Sequence, residues 1–453
     1  MRPRHLLVRL LLACLATAVT AETRQPNILV IVADDLGWGD VGFHSKDMPT
    51  PRLSRLAKEG TELGRFYVYP LCSPTRAALL TGQSPRRHGI VGAIQGRDTG
   101  LPAGLPSLPA TLRAAGYQTS LIGKWHLGRS TTPQQQGFDR FYGFLGGEID
   151  YDAHTNMRGT IDWQRDGKTL DEKGYSTDLL ADDAVRQIKV RDKTKPFYLQ
   201  VAFNAPHIPL AAPPELVAKH KAAGEKASVY RAVLESMDLG VGRILDTLES
   251  EGLRANTLVI FLSDNGGAVR NGGNNAPLRG GKDTVWEGGI RTPALVRWPD
   301  RIPAGAVLTQ PIAAHDLFPT LVAAAGAKLT TGAKLDGTNQ LPQLLSGKPA
   351  RRDPILIASY DIALIDGDWK LIEPQAGEAR QLYNLKDDPS EKADLAKANP
   401  ETLARLGATL DALKKDLPAA PARTNGPGSA GGGRPSAGGG TRPGAAAGRP
   451  AAR

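Results

Sequence analysis

Four short apolar runs divide the chain: ILVIVA (28–33), TSLIG (119–123), PFYLQVAF (196–203) and TLVIFL (257–262). Each is of strand length and rich in β-branched and aromatic residues. Between them lie TPRLSRLAKEG, LPATLRAAGY and YRAVLESMDLGVGRILDTLESEGL, with apolar positions at helical spacing and glycines that stop them. Alternation of the two textures predicts an α/β fold with a large, mainly parallel, doubly wound sheet. Near QLLSGKPARRDP the texture changes. PILIASYDIALIDGDWKLIEP and ARQLYNLKDDP predict antiparallel strands turning at Asp-Gly and Asp-Asp-Pro, followed by a helix from about Glu391 to Asp416. This is the pattern of a smaller C-terminal α+β subdomain. The predicted division is a leader over 1–21, a large domain over 22–345, the subdomain over 346–416 and a tail over 417–453, with no internal repeat.

The two ends carry most of the charge imbalance. Of 56 basic residues, Arg2, Arg4 and Arg9 lie in the leader and Arg423, Arg434, Arg442, Arg449 and Arg453 in the tail. Removing these eight leaves 48 basic against 46 acidic residues between Glu22 and Asp416, so the overall +10 does not imply a nucleic-acid partner. The leader MRPRHLLVRLLLACLATAVTA has a basic start, an apolar stretch and a small-residue Val19-Thr20-Ala21 cleavage pattern. It predicts an exported protein, periplasmic or secreted. Leu11-Leu12-Ala13-Cys14 loosely resembles a lipobox, which would anchor the product by a lipid, though Arg9 leaves little apolar stretch before it. Beyond the leader no apolar run approaches the roughly 20 residues of a spanning helix, so no transmembrane segment is predicted. The tail is rich in Gly, Pro, Ala and Arg and cannot build a core alone. It reads as a solvated extension, the alternative being a weak tether to anionic polysaccharide.

In open parallel sheets ligands sit outside the carboxyl ends of the strands. Each apolar run ends in a polar cluster there: Asp34-Asp35, Lys124-Trp125-His126, His207, and Asp264-Asn265. Parallel neighbours would bring these together. Asp34, Asp35, Asp264 and Asn265 form an oxygen-only set suited to Ca²⁺ or Mg²⁺. Arg76, Lys124, His126, His207 and Lys282 add positive charge, and a cationic crevice around a divalent ion suits a multiply charged oxyanion, sulfate or phosphate. Each group also has a plain alternative: helix caps or turns for the acidic pairs, a satisfied core position for His126, a turn for His207 and a solvated loop for Lys282. Joint placement carries the functional reading.

The sequence contains two cysteines, and Cys14 lies in the leader. A single mature Cys72 in an exported protein has no disulfide partner. It opens CSPTRAALLTG, a predicted helix with Pro74 in its first turn. A thiol nucleophile lacks a Cys-His-Asn framework at recognisable spacing, and an inert buried cysteine is the other plain reading.

Cys72-Ser73-Pro74-Thr75-Arg76 followed by AALLTG resembles the sulfatase signature Cys-X-Pro-X-Arg, in which the cysteine is oxidised to Cα-formylglycine before folding. PNILVIVADDLGWGDVG, GYQTSLIGKWHLG, FLSDNGG, LRGGKDTVWEGGIRTP and LYNLKDDPSEKADLA resemble further segments of the formylglycine-dependent sulfatases, in the family's order. The resemblance implies an alkaline-phosphatase-like fold. It also implies one Ca²⁺ held by Asp34, Asp35, Asp264, Asn265 and the modified Cys72. Arg76 and Lys124 would steady the formylglycine and sulfate, His126 would act as the base that breaks a covalent enzyme–sulfate intermediate, and His207 and Lys282 would contact the ester and its leaving alcohol. A formylglycine-generating enzyme is the implied maturation partner. GFDRFYGFLGGEIDYDAH and the context of Cys72 resemble arylsulfatase B-like enzymes acting on sulfated N-acetylgalactosamine. On that likeness, and because polar and aromatic loop residues commonly orient ligands, Arg97, Asp98, Asp150, Tyr151 and His154 are candidate contacts to a sulfated carbohydrate. A phosphodiester or phosphonate hydrolase of the same superfamily, and a non-catalytic glycan-binding protein, are the competing readings.

Overall fold

The strand Asn27–Ala33 is buried along its whole length, and its side chains divide strictly by parity. Ile28, Val30 and Val32 join one core layer, with the helices Cys72–Thr81, Leu108–Ala114 and Leu317–Ala324. Leu29, Ile31 and Ala33 join the other, with Pro51–Glu59, Ser176–Val190 and Glu225–Ser250. A strand apolar on both faces belongs inside a sheet covered on both sides. This architecture comes from a computed structural model, which describes residues 25–419 apart from 96–99, 330, 331, 333 and 376. The leader, Cys14 and its lipobox, Arg97, Asp98 and the tail from residue 420 lie outside the described residues.

The four apolar runs are consecutive parallel neighbours, in the order Thr257–Ser263, Asn27–Ala33, Phe197–Ala202 and Gln118–Lys124, with Arg140–Phe144 continuing the parallel centre. Among the described residues the sheet has ten strands. Ala294–Arg297 is inserted antiparallel on one side and the short pair Gln164–Arg165 and Lys168–Thr169 on the other, so the sheet is mixed around a parallel core. Register then fixes the site. Ala33 pairs with Ser263, so Asp34 and Asp264 leave adjacent strands side by side. Gly123 pairs with Ala202, where a Cβ would stand 1.9 Å from the Ala202 carbonyl oxygen. Only glycine permits that approach, which draws the following Lys124 towards Asp34.

A second sheet, Ile355–Ala358, Ile362–Asp366, Trp369–Glu373 and Gln381–Asn384, is an antiparallel meander, as the turns at Asp-Gly and Asp-Asp-Pro predict. One face packs Ile362, Leu364, Leu371 and Leu382 against Leu406 and Leu410 of the helix Pro400–Lys415. The other places Ile355, Ile357, Ala363, Ile365 and Ile372 in the main core on the side of the Cys72 helix. The helix begins at Pro400, not near Glu391. Before it, the Asp388 carboxylate accepts the backbone N–H groups of Lys392 and Ala393, and Glu391 sits at φ 52° with its side chain buried. A turn stabilised by its own aspartate competes with helix there. Among the described residues no helix is long and apolar enough to cross a membrane.

Candidate active site

Ten of the sequence-predicted groups converge where the parallel strands end. Asp34 and Asp35 follow one strand, Asp264 and Asn265 the next, and all four are at most 3% exposed. Asp35 and His126 adopt φ of 69° and 53°, left-handed conformations that are rare outside glycine and that cluster at functional sites. Cys72 is the first residue of its helix and is 2% exposed. Its Sγ and one carboxylate oxygen each from Asp34 and Asp264 lie within 4.8 Å of one another.

Charge is closely paired around this point. Lys124 Nζ donates to Asp34 Oδ2 at 2.6 Å, and Lys282 Nζ to Asp35 Oδ2 at 2.8 Å. Asn265 Nδ2 donates to Asp35 Oδ1 at 2.7 Å. Arg76, one helical turn after Cys72, gives Nε and Nη2 to Asp264 Oδ2 at 2.9 and 2.6 Å and Nη1 to the Lys124 carbonyl at 2.9 Å. His207 Nε2 is 3.7 Å from Asp35 Oδ2.

These contacts set the proton affinities. Burial raises Asp34 despite Lys124, and burial with repulsion from Asp34 raises Asp264 despite Arg76. Burial alone would raise Asp35 too, but Lys282, His207 and Asn265 hold it well below the usual carboxylate range. Burial pushes the Cys72 thiol up against the pull of Lys124 and Lys282, which does not favour a working thiolate. Burial, then Lys124 and Arg76, hold His126 far below its ordinary value, and burial brings His207 down to about 4, so both rings are neutral at pH 7.

Several supporting groups carry no sequence signal of their own. His126 Nε2 lies 3.1 Å from the Ile94 carbonyl oxygen, which only accepts, so the ring hydrogen sits on Nε2 and buried Nδ1 keeps a lone pair with no partner among the described residues. Ile94 is held in turn by its N–H to Ser73 Oγ at 3.0 Å. A Cβ at Gly147 would stand 2.6 Å from His126 Nε2. Gly147→Ala is therefore expected to push the ring from Ile94 and lower turnover on the order of 10²-fold, with the thermal midpoint nearly unchanged. Initial rates beside a melting curve check this.

Tyr151 and His154, candidate sugar contacts, are 0% and 1% exposed, with their polar atoms turned to the protein's own backbone. Tyr151 Oη donates to the carbonyls of Asn204 and His207 at 3.2 and 3.0 Å, bracing the loop that carries His207. His154 stacks on Trp163 with ring centroids 4.5 Å apart, and its Nε2 meets the Gly174 carbonyl at 2.9 Å. The Asp150 carboxylate is engaged by the N–H groups of Asp152 and Ala153 in a local turn.

The sulfatase family model matches residues 26–327. Arylsulfatase J of Mus musculus is 32% identical over 471 residues, covering 90% of this chain and 78% of its own. N-acetylgalactosamine-6-sulfatase of Sus scrofa is 36% identical, covering 77% of this chain and 71% of its own. The crystal structure of Ps i-CgsB in complex with k-i-k-neocarrahexaose superposes with a TM-score of 0.83 at 35% identity, covering 87% of this chain and 94% of that one. PsFucS1 sulfatase from Pseudoalteromonas sp. gives a TM-score of 0.74 at 30% identity, covering 87% and 91%. With the matched stretch running from the strand before Asp34 to beyond Lys282, this chain belongs to the sulfatase family of sulfuric ester hydrolases.

Proposed function

We propose that the protein removes sulfate from sulfated sugars of a glycan, with residue 72, matured to formylglycine, as the nucleophile beside one Ca²⁺. The observation that carries this reading is the meeting of Cys72, Asp34 and Asp264 within 4.8 Å at the helix N-terminus. Two oxygens there, Asp34 Oδ1 and Asn265 Oδ1, are buried with no hydrogen-bond partner among the described residues. Orphaned hard acceptors between carboxylates whose ionisation burial opposes fit a divalent cation. Asp34, Asp35, Asp264 and Asn265 would hold Ca²⁺, which would supply positive charge for the sulfate oxygens. The formylglycine, as its hydrate, supplies a hydroxyl nucleophile and a second hydroxyl through which the enzyme is regenerated.

The chain's own residues supply the rest. Arg76 fixes the N-terminal turn of the helix to Asp264 and Lys124, so residue 72 is aimed by a buried guanidinium. Lys124 and Lys282 bring positive charge to the sulfate and to the leaving oxygen. Neutral His126 offers Nδ1 as a proton acceptor, with its tautomer set by Ile94. His207 is held by Tyr151 on the side of Asp35 and Lys282, where the alcohol departs.

Sugar substrates are supported by the neocarrahexaose bound to Ps i-CgsB and by the names of the N-acetylgalactosamine-6-sulfatases. An export leader would bring the enzyme to such polymers. Cys72 is 2% exposed in the fold, so a formylglycine-generating enzyme would have to act before the chain closes around it.

Mass spectrometry of the tryptic peptide spanning Cys72 is expected to show the aldehyde, and a panel of sulfated monosaccharides to show sulfate release. A faster rate on an aryl phosphodiester than on an aryl sulfate would overturn the choice of substrate. Chelation is expected to abolish activity and lower the unfolding midpoint. Ca²⁺ at 100 times its Kd would restore about 2.7 kcal/mol, and Zn²⁺ would not restore turnover.

A further inference from the structure

Lys282 lies on the loop between Pro277 and Glu287, and both ends of that loop are held by one short turn of the C-terminal subdomain. Ser390 Oγ donates to the Pro277 carbonyl at 2.7 Å, and Arg279 Nη1 donates to the Glu391 carbonyl at 2.8 Å. Glu391 Oε2 accepts the Glu287 N–H at 2.6 Å. Lys370, on the subdomain strand Trp369–Glu373, sits between the two acids, 2.9 Å from Glu287 Oε1 and 2.8 Å from Glu391 Oε1. All three side chains are fully buried. The neck closes through the Gly288 N–H to the Arg279 carbonyl at 2.7 Å, and Arg279 lies 3.6 Å over the Trp286 ring. At the tip, Lys282 N–H reaches the Gly267 carbonyl and Asp283 N–H the carbonyl of Pro70, two residues before Cys72.

We propose that Glu391 and Lys370 are positioning residues of the reaction, a clamp through which the C-terminal subdomain sets Lys282 against the leaving oxygen. The inference rests on the reading of Lys282 given above. Glu391 holds a left-handed backbone at φ 52°, a conformation a non-glycine residue keeps only where its surroundings fix it. Here those surroundings are three points of one loop. Asp388 stabilises the turn locally, while the inward-facing Glu391 side chain is held by the Glu287 N–H and by Lys370. Lys370 bridges the two buried acids, so without it two carboxylates would face each other in the interior.

A group that assists the departing alcohol matters most when that alcohol leaves poorly, so the test compares two esters. Glu391→Ala is expected to lose on the order of 10²-fold in kcat on the sulfate ester of an N-acetylhexosamine and under about tenfold on that of nitrophenol. Rates are taken per mole of folded enzyme carrying the aldehyde. Lys282→Ala is expected to show the same leaving-group dependence, and the double variant to be no worse than Lys282→Ala alone. Glu391→Gln, which keeps an acceptor for the Glu287 N–H, is expected to fall between wild type and Glu391→Ala, and it stands in if the alanine variant does not fold. Equal losses on both esters, or additive losses in the double variant, would overturn the proposal and leave Glu391 a support of the fold only. Amide hydrogen exchange supplies a readout without turnover: faster exchange in 277–288, with 355–384 unchanged, supports the clamp, and unchanged exchange in 277–288 overturns it. Wild-type enzyme that releases sulfate from neither ester would refute the functional reading, while the exchange measurement still decides the clamp.

Discussion

Cys72→Ala is expected to abolish turnover while the protein still folds and still binds Ca²⁺. Loss of a covalent nucleophile from an efficient hydrolase costs on the order of 10⁶ in rate. At this site no neighbour replaces it, because Ser73 is occupied by the Ile94 N–H and Thr75 by the Tyr69 N–H. Asp34, Asp35, Asp264 and Asn265 keep their positions, since those are set by strand register and by Lys124, Lys282 and Arg76 rather than by the thiol. Calorimetric titration of the chelated variant with Ca²⁺ should therefore show a binding isotherm beside a dead enzyme. Sulfate release by the alanine variant at a measurable fraction of the wild-type rate would sink the assignment of residue 72. Cys72→Ser is expected to be nearly as poor, because serine lacks the second hydroxyl through which the enzyme regenerates.

Arg76→Ala is expected to give the second largest effect, and it should appear in stability as well as rate. The guanidinium is 3% exposed and neutralises Asp264, which is 0% exposed. Removing one member of such a buried pair costs about 3–5 kcal/mol, because the other is left charged without a partner. Losing its hold on the Lys124 carbonyl also frees the Cys72 helix from the neighbouring strand, and a displaced donor in a site of this kind costs on the order of 10²–10³ in kcat. Arg76→Lys should recover only part of either loss, since one ammonium cannot reach both Asp264 and that carbonyl in the same geometry. Denaturant unfolding with and without Ca²⁺ measures the stability term. Added Ca²⁺ should stabilise the alanine variant more than the wild type, because the stranded carboxylates then have a counter-charge. Wild-type stability and rate in Arg76→Ala would show that Asp264 is neutralised by some other route.

Much of this site is legible in the sequence because its parts follow strands whose apolar texture is unmistakable. Asp34, Lys124 and Asp264 each stand within two residues of a run that can only be a buried strand, and parallel order then brings their side chains to one edge. The helix over CSPTRAALLTG is equally plain, with proline in its first turn and glycine beyond its last. What is not legible depends on approaches between distant segments. Gly147 lies beside His126 because strand Arg140–Phe144 pairs with Gln118–Lys124, a partnership no local pattern announces. Tyr151 and His154 have the composition of ligand contacts, and no local pattern announces that one packs under the His207 loop and the other against Trp163. The start of the last helix is misplaced for a related reason. Glu391, a good helix former by propensity, is drawn inwards by the N–H of Glu287 more than a hundred residues away.

The pairing of Ala33 with Ser263 makes the sheet a ruler as well as a scaffold. Side chains on a strand change face at every residue, so inserting or deleting a single residue anywhere in 27–33 would leave the hydrophobic layers mismatched and turn Asp34 away from Asp264 in one stroke. Loops outside the sheet carry no such register and tolerate changes of length far better. The odd-even count of these two inner strands has no such freedom, and diversification of this enzyme has to proceed around it.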